Sequence, residues 1–448
     1  MGLTATLAAF AADQALDVPA DVAPVIRSGI IDVIGTMIAG RDEPVVKLVQ
    51  AQLAERQSGA QEATVLLGPA RTYSADAALI NATAGHALDY DDVAIGGHPS
   101  TVLVPAILAE AERLGLSGAA VLRAYLVGYE VWAELNAREA DALHLKGWHP
   151  TAVYGAVGAA AAVANLHGLS AERTGAALAL AGSMAAGLVA NFGTMTKPFH
   201  AGRAAASGIE AVRMVARGFT AAADALEHHA GFLAALSPKG AADLRDAEVG
   251  KVLRIREAGL SIKRYPMCYS AHRTADAVLA LTAQENLRAE DVTAVECTIG
   301  TAQASMLRNH APVTGLEAKF SLEFAVASAL VARRVGLREL TDDFVNQPEV
   351  RAQYGKVVVH TTDTHCPIEP VFSLTDTVTI RTTTGRELRQ EVRFPKGNAQ
   401  LPLSLDELRE KFVDCAAGAP LNSDRLFDRL CTLGSAASLA GGATKLAA

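Results

Sequence analysis

Residues 375–393 read TDTVTIRTTTGRELRQEVR. Two runs of alternating side chains, 375–382 and 387–393, flank Thr383-Thr384-Gly385, so the stretch predicts a β-hairpin. Two further segments rich in β-branched residues precede it, at 292–299 and 356–361, with a helical run at 318–333 between them. A small α/β domain over 261–396 is the expectation.

Outward from this insert the texture is helical. Asp21 precedes an apolar series at Val22, Val25, Ile26, Ile30, Ile31, Val33 and Ile34 that ends near Gly40. Ser117 and Ser170 stand where helix N-caps belong, and Gly115 and Gly168 where helices stop. After Pro395 helical spacing returns, with Ser404-Leu405-Asp406-Glu407 as a capping box before 408–416. The architecture expected is mainly α with an inserted α/β domain. A large helical-bundle domain takes 1–260 and 397–448, from both chain ends.

Composition narrows the function. The 448 residues exceed one ordinary core, and a net charge of -8 without a basic stripe argues against nucleic acid. The five cysteines are odd in number and none are spaced C-x-x-C, which disfavours a disulfide framework or structural zinc. The N-terminal residues lack a signal peptide's basic start and cleavage site, so a cytoplasmic protein is expected. Residues 174–196 include no charged residue. Their Ala and Gly content predicts a buried helix rather than a membrane span. P-loop, G-x-G-x-x-G and G-x-S-x-G patterns are absent.

Unusual polar residues gather beside prolines. They are His86-Ala-Leu-Asp89-Tyr90-Asp91-Asp92 with Gly97-His98-Pro99-Ser100, and Trp148-His149-Pro150. The others are Met195-Thr196-Lys197-Pro198-Phe199-His200, and Lys263-Arg264-Tyr265-Pro266-Met267-Cys268-Tyr269-Ser270-Ala271-His272. Proline favours the first helical turn, so His98, His149 and Lys197 are expected at helix starts, where free N–H groups attract anions. Histidine exchanges protons near neutral pH, and a lysine among Phe192, Met195 and Phe199 is costly if idle. Each motif alone also reads as a solvated turn or a simple helix start. Asp89, Asp91, Asp92 and His98 could be metal ligands, but no H-E-x-x-H spacing accompanies them.

Together, in this order, these motifs resemble the MmgE/PrpD family from about Pro24 to Phe427. H-A-L-D-Y-D-D, G-W-H-P-T, N-F-G-T-M-T-K-P-F-H-A-G-R-A-A, K-R-Y-P-M-C-Y-S-A-H-R and E-A-K-F-S-L-E-F carry the resemblance. It implies a helical domain and an α/β lid with a site in the cleft between them, a homodimer, and no metal or organic cofactor. It also implies a small polycarboxylate substrate and the site residues Asp89, His98, His149, Lys197 and Lys263, with His272 added by motif. Tyr90, Ser100, Met195, Thr196, Arg264 and Cys268 are expected to line the substrate.

The family's reactions are dehydration of 2-methylcitrate, decarboxylation of cis-aconitate and epimerisation of iminodisuccinate. All develop charge on a carbon next to a carboxylate. Dehydration is the first expectation. The family's decarboxylases have histidine where Cys268 stands and tyrosine where Phe324 stands, which speaks against that reaction. An epimerase needs bases on both faces of the carbon. A non-catalytic carboxylate binder is the rival of a different class. The roles expected are His149 or His98 as base or acid, Lys197 and Lys263 on carboxylates, and Asp89 behind a histidine.

Overall fold

In the computed structural model, which describes residues 2–56, 59–139, 143–237 and 242–440, the 375–393 hairpin forms as read. Asp376–Thr382 pairs antiparallel with Glu387–Val392, Thr379 opposite Arg389, and Gly385 takes the left-handed φ of +79° that its turn requires. The four-stranded sheet runs in the order Val357–Thr362, Val292–Gly300, Asp376–Thr382, Glu387–Val392. The first pair is parallel and the others antiparallel. Val378 and Ile380 alternate inward and share a core with Val295 and Ile299. The helices His272–Glu285 and Leu322–Val331 close that core with Val278, Leu281 and Val326. The expected single helix over 318–333 is instead two, Gly315–Ala318 and Leu322–Val331. Ser321 interrupts it by accepting the Phe324 N–H and capping the second.

The chain divides into two compact units, 1–262 with 405–448, and 263–404. The first unit is helical. At its centre Pro150–His167 is buried along its length apart from the last residue, an Ala- and Gly-rich helix. Small side chains let the neighbours close in. A Cβ on Gly128 would stand 2.9 Å from the Gly158 carbonyl. The Ser117 and Ser170 hydroxyls cap Gly118–Ala137 and Ala171–Met184 as expected, and Gly115 and Gly168 end their helices at φ of +67° and +61°.

The charge-free stretch is a correction. Its helix ends at Met184, and the chain then runs without regular structure to a short turn at Val189–Asn191 before the helix Thr196–Val215. Among the described residues one helix, Ala23–Gly40, is long and apolar enough to cross a bilayer. It is mostly buried, and its Asp32 is ion-paired with Lys411, as suits a core helix.

Candidate active site

Three helix starts build the site. His98 is the N-cap residue of Pro99–Leu114 and His149 that of Pro150–His167, each followed by proline at the first helical position. Lys197 lies in the first turn of Thr196–Val215. The carboxylates come from the loop after Ser74–Ala87. Asp89 there adopts φ +52°, a left-handed conformation that Asp tolerates better than most residues. The loop is braced where it turns back, by Trp132 Nε1 donating to the Ile95 carbonyl at 3.1 Å and the His98 N–H to Thr151 Oγ1 at 3.2 Å.

Asp89, His98, His149 and Lys197 come together in the first unit. Lys197 Nζ sits 2.7 Å from Asp89 Oδ1, and the same carboxylate oxygen lies 3.8 Å from His98 Nε2. The carboxylate behind the histidines is Asp91 rather than Asp89. Its Oδ2 lies 3.1 Å from His98 Nδ1, and its two oxygens 2.9 and 3.0 Å from His86 Nδ1. Asp89 serves the lysine instead. His86 fills the middle of the cluster, its ring centroid 4.4 Å from that of His98 and 6.0 Å from that of His149. Phe192 meets the His149 ring edge-on at 4.8 Å and lies 5.2 Å beneath the Lys197 ammonium.

Charge states follow from burial and neighbours. Burial works against the Asp91 carboxylate, but His86 and His98 outweigh it and hold it well below the usual range. Burial pushes His86 down to about 4, against the pull of Asp91, so at neutral pH a neutral His86 donates Nδ1–H to a charged Asp91. His149 is depressed further, by burial first, with repulsion from neighbouring groups that include the Lys197 ammonium adding to it. It is a neutral imidazole at pH 7, the form a general base requires.

His86, Asp89, Asp91 and His98 each offer a ligand atom within 4.8 Å of one another, a donor set that suits a divalent cation. One group from outside the set already sits on it, the Lys197 ammonium on Asp89.

The remaining expected residues fare differently. Tyr90 is enclosed, its ring 3.9 Å under Lys411 Nζ. Ser100 is fully buried between Asp92, at 2.9 Å, and the Tyr125 hydroxyl, at 2.6 Å. Both side chains are packed into the core of the first unit and offer a substrate little surface. Met195 is half exposed and with Thr196 lines a surface groove of about 310 Å³ beside Leu48 and Phe199.

Lys263, Arg264, Cys268 and His272 belong to the second unit. Lys263 is buried there, and the Arg264 guanidinium is 3.8 Å from Asp276. Cys268 is half-buried, its N–H donating to the Lys319 carbonyl. His272 is fully enclosed between Tyr265 and Tyr269 with Nε2 3.2 Å from the Met267 carbonyl. Phe324 is likewise a core residue, against Phe344.

His86, Asp91, Phe192 and His200 were not among the expected site residues. His200 lies three residues after Lys197, one helical turn along the same face, a spacing that could have drawn it in.

A model of the MmgE/PrpD N-terminal domain matches residues 5–245, and one of the MmgE/PrpD C-terminal domain matches residues 265–426. Among curated proteins, human cis-aconitate decarboxylase is 30% identical over 351 residues, covering 75% of this chain and 71% of that protein. The mouse cis-aconitate decarboxylase is 28% identical over 75% of this chain and 70% of its own length. That of Aspergillus terreus is 28% identical over 78% and 76%. With both domain models matched in order over nearly its whole length, the chain belongs to the MmgE/PrpD family.

Proposed function

We propose that this protein is a cofactor-independent lyase of small di- or tricarboxylic acids, working through an enolate formed next to a carboxylate, with dehydration of a 2-methylcitrate-like hydroxy acid as the first reading. One observation carries it: a single cluster joins a lysine at a helix start to two histidines in unlike surroundings. His149 is backed by an apolar ring and a neutral histidine, whereas His98 is backed by the Asp91 carboxylate. Environments that differ in this way separate base from acid.

In this reading His149 takes the proton from the carbon, whose electron pair moves into the carboxylate. The Lys197 ammonium meets that developing charge, drawn from its contact with Asp89. His98 gives a proton to the leaving hydroxyl, with Asp91 as its counter-ion, and water departs as the C–O bond breaks.

Decarboxylation is the second reading, favoured by relatives named cis-aconitate decarboxylase. There the C–C bond to carbon dioxide breaks, and His98 protonates the carbanion left behind. Cys268 and Phe324, where the family's decarboxylases are expected to carry histidine and tyrosine, stand against it.

A thermal-shift screen across di- and tricarboxylates, followed by proton NMR of each hit in D₂O, tests the proposal. Loss of water from a hydroxy acid supports the first reading, and release of carbon dioxide the second. Binding without conversion or deuterium uptake makes the protein a carrier and overturns both.

A further inference from the structure

His149 Nδ1 and His200 Nδ1 are 3.1 Å apart. Two ring nitrogens approach this closely only when one carries the hydrogen and the other the lone pair. The rings must therefore hold opposite tautomers. One is Nδ1–H with its lone pair on Nε2; the other carries its hydrogen on Nε2.

The contact is built in. His149 donates its backbone N–H to the Gly187 carbonyl at 3.0 Å. The same glycine lies against the second ring, since a Cβ there would stand 3.2 Å from His200 Cγ and Nδ1 and 2.6 Å from Ala152 Cβ. One residue thus anchors His149 and leaves room for His200. His200 shares the rigid helix Thr196–Val215 with Lys197, so the pairing and the lysine keep a fixed relation. Burial disfavours the charged form of both rings, consistent with a single proton in the contact.

We propose that His200 is a positioning residue that accepts the His149 Nδ1–H and so holds His149 in the tautomer whose Nε2 bears the lone pair. With Nδ1 committed to His200, Nε2 is the nitrogen left for a reacting proton. A base there needs its lone pair at that atom. When His149 takes up a proton at Nε2, the His200 lone pair continues to accept from Nδ1–H and steadies the imidazolium. The inference rests on the proposed role of His149 as a base, but the tautomer can be read without any substrate.

The test is two-bond ¹H–¹⁵N correlation NMR on ¹⁵N-histidine-labelled full-length protein, with His149→Gln assigning the signal. Wild type is expected to show His149 protonated at Nδ1 and unprotonated at Nε2. His200→Gln, whose amide oxygen still accepts, keeps that pattern, and His200→Phe loses it. If wild-type His149 is protonated at Nε2 instead, or if His200→Phe leaves the pattern unchanged, the proposal is wrong.

Once a substrate is in hand, folded His200→Phe should lose about 10- to 100-fold in kcat with KM little changed, less than the roughly 10²–10⁴-fold that losing the base itself costs. His200→Gln should recover most of it. Equal turnover in wild type and His200→Phe overturns the functional half of the proposal. The predicted tautomer in a protein that converts no carboxylate leaves the pairing standing and removes the lyase reading alone.

Discussion

At the residue scale, the cluster explains why the polar residues beside prolines are histidine and lysine rather than generic helix starters. His98 and His149 follow directly from the His-Pro pairs, because proline fixes the helix start and hence the direction of the preceding side chain. Asp91 and His86 were hidden in the same motif. Sequence order does not say which of Asp89, Asp91 and Asp92 turns toward a histidine; that depends on the left-handed kink at Asp89. Lys197→Ala should lower kcat roughly 10²–10³-fold, the loss expected for one charge-stabilising donor. Circular dichroism should be unchanged.

The depressed histidines also predict a pH dependence of stability. Unfolded, these imidazoles bind protons as the pH falls through 6.5; in the fold His86 does so only at about 4, and His149 lower still. In that window protons favour the unfolded chain, so stability from these groups is lost as the pH drops from 6.5 to 4. Buried Asp32, raised to about 6 by desolvation against Lys411, opposes this by taking up a proton in the fold first. The histidine contribution is therefore best read as a difference. Melting temperature should fall less steeply over this window in His149→Gln than in wild type, and equal slopes would show that His149 is not held neutral.

At the scale of elements, caps and turns were legible where their chemistry is local. Ser117, Ser170 and the hairpin at 383–385 are such cases. Residues 185–195 were not legible, since without charges and rich in small side chains they carry no period that separates helix from irregular chain. The helix Leu405–Cys415 holds a feature that sequence could not place. Its buried Lys411 reaches Asp32 Oδ1 at 2.5 Å and the Tyr90 carbonyl at 2.8 Å. This ties the C-terminal helix to the loop that carries Asp89 and Asp91. Lys411→Met strands Asp32 without its cation, a loss of about 3–5 kcal/mol for a broken buried pair. Denaturant unfolding should register that loss at pH 8. It should be smaller at pH 5.5, where Asp32 is protonated; an equal loss at both would mean that Asp32 is not the group left stranded.

At the scale of the whole molecule, one chain forms a helical unit closed by its C-terminal helices and a second unit carrying the mixed sheet. The change of texture near residue 260 made the two kinds of structure legible. The cluster of Asp89, Asp91, His98, His149 and Lys197 falls entirely in the helical unit, with the Lys197 ammonium on an Asp89 oxygen that a metal would need. Dialysis against EDTA is accordingly expected to leave turnover unchanged. A loss restored by a divalent ion would reassign His86, Asp89, Asp91 and His98 as its ligands.

The central claim is that His149 removes a proton next to a carboxylate while Lys197 holds the charge that develops. Its most direct test is proton NMR in D₂O of wild type, Lys197→Ala and His149→Gln with 2-methylcitrate, cis-aconitate and iminodisuccinate. Wild type is expected to convert at least one of the three, or to take up deuterium beside its carboxylate. Both folded variants should be slower, by roughly 10²-fold or more. Wild-type rates in both variants, or no conversion and no exchange by folded wild-type protein, would contradict it.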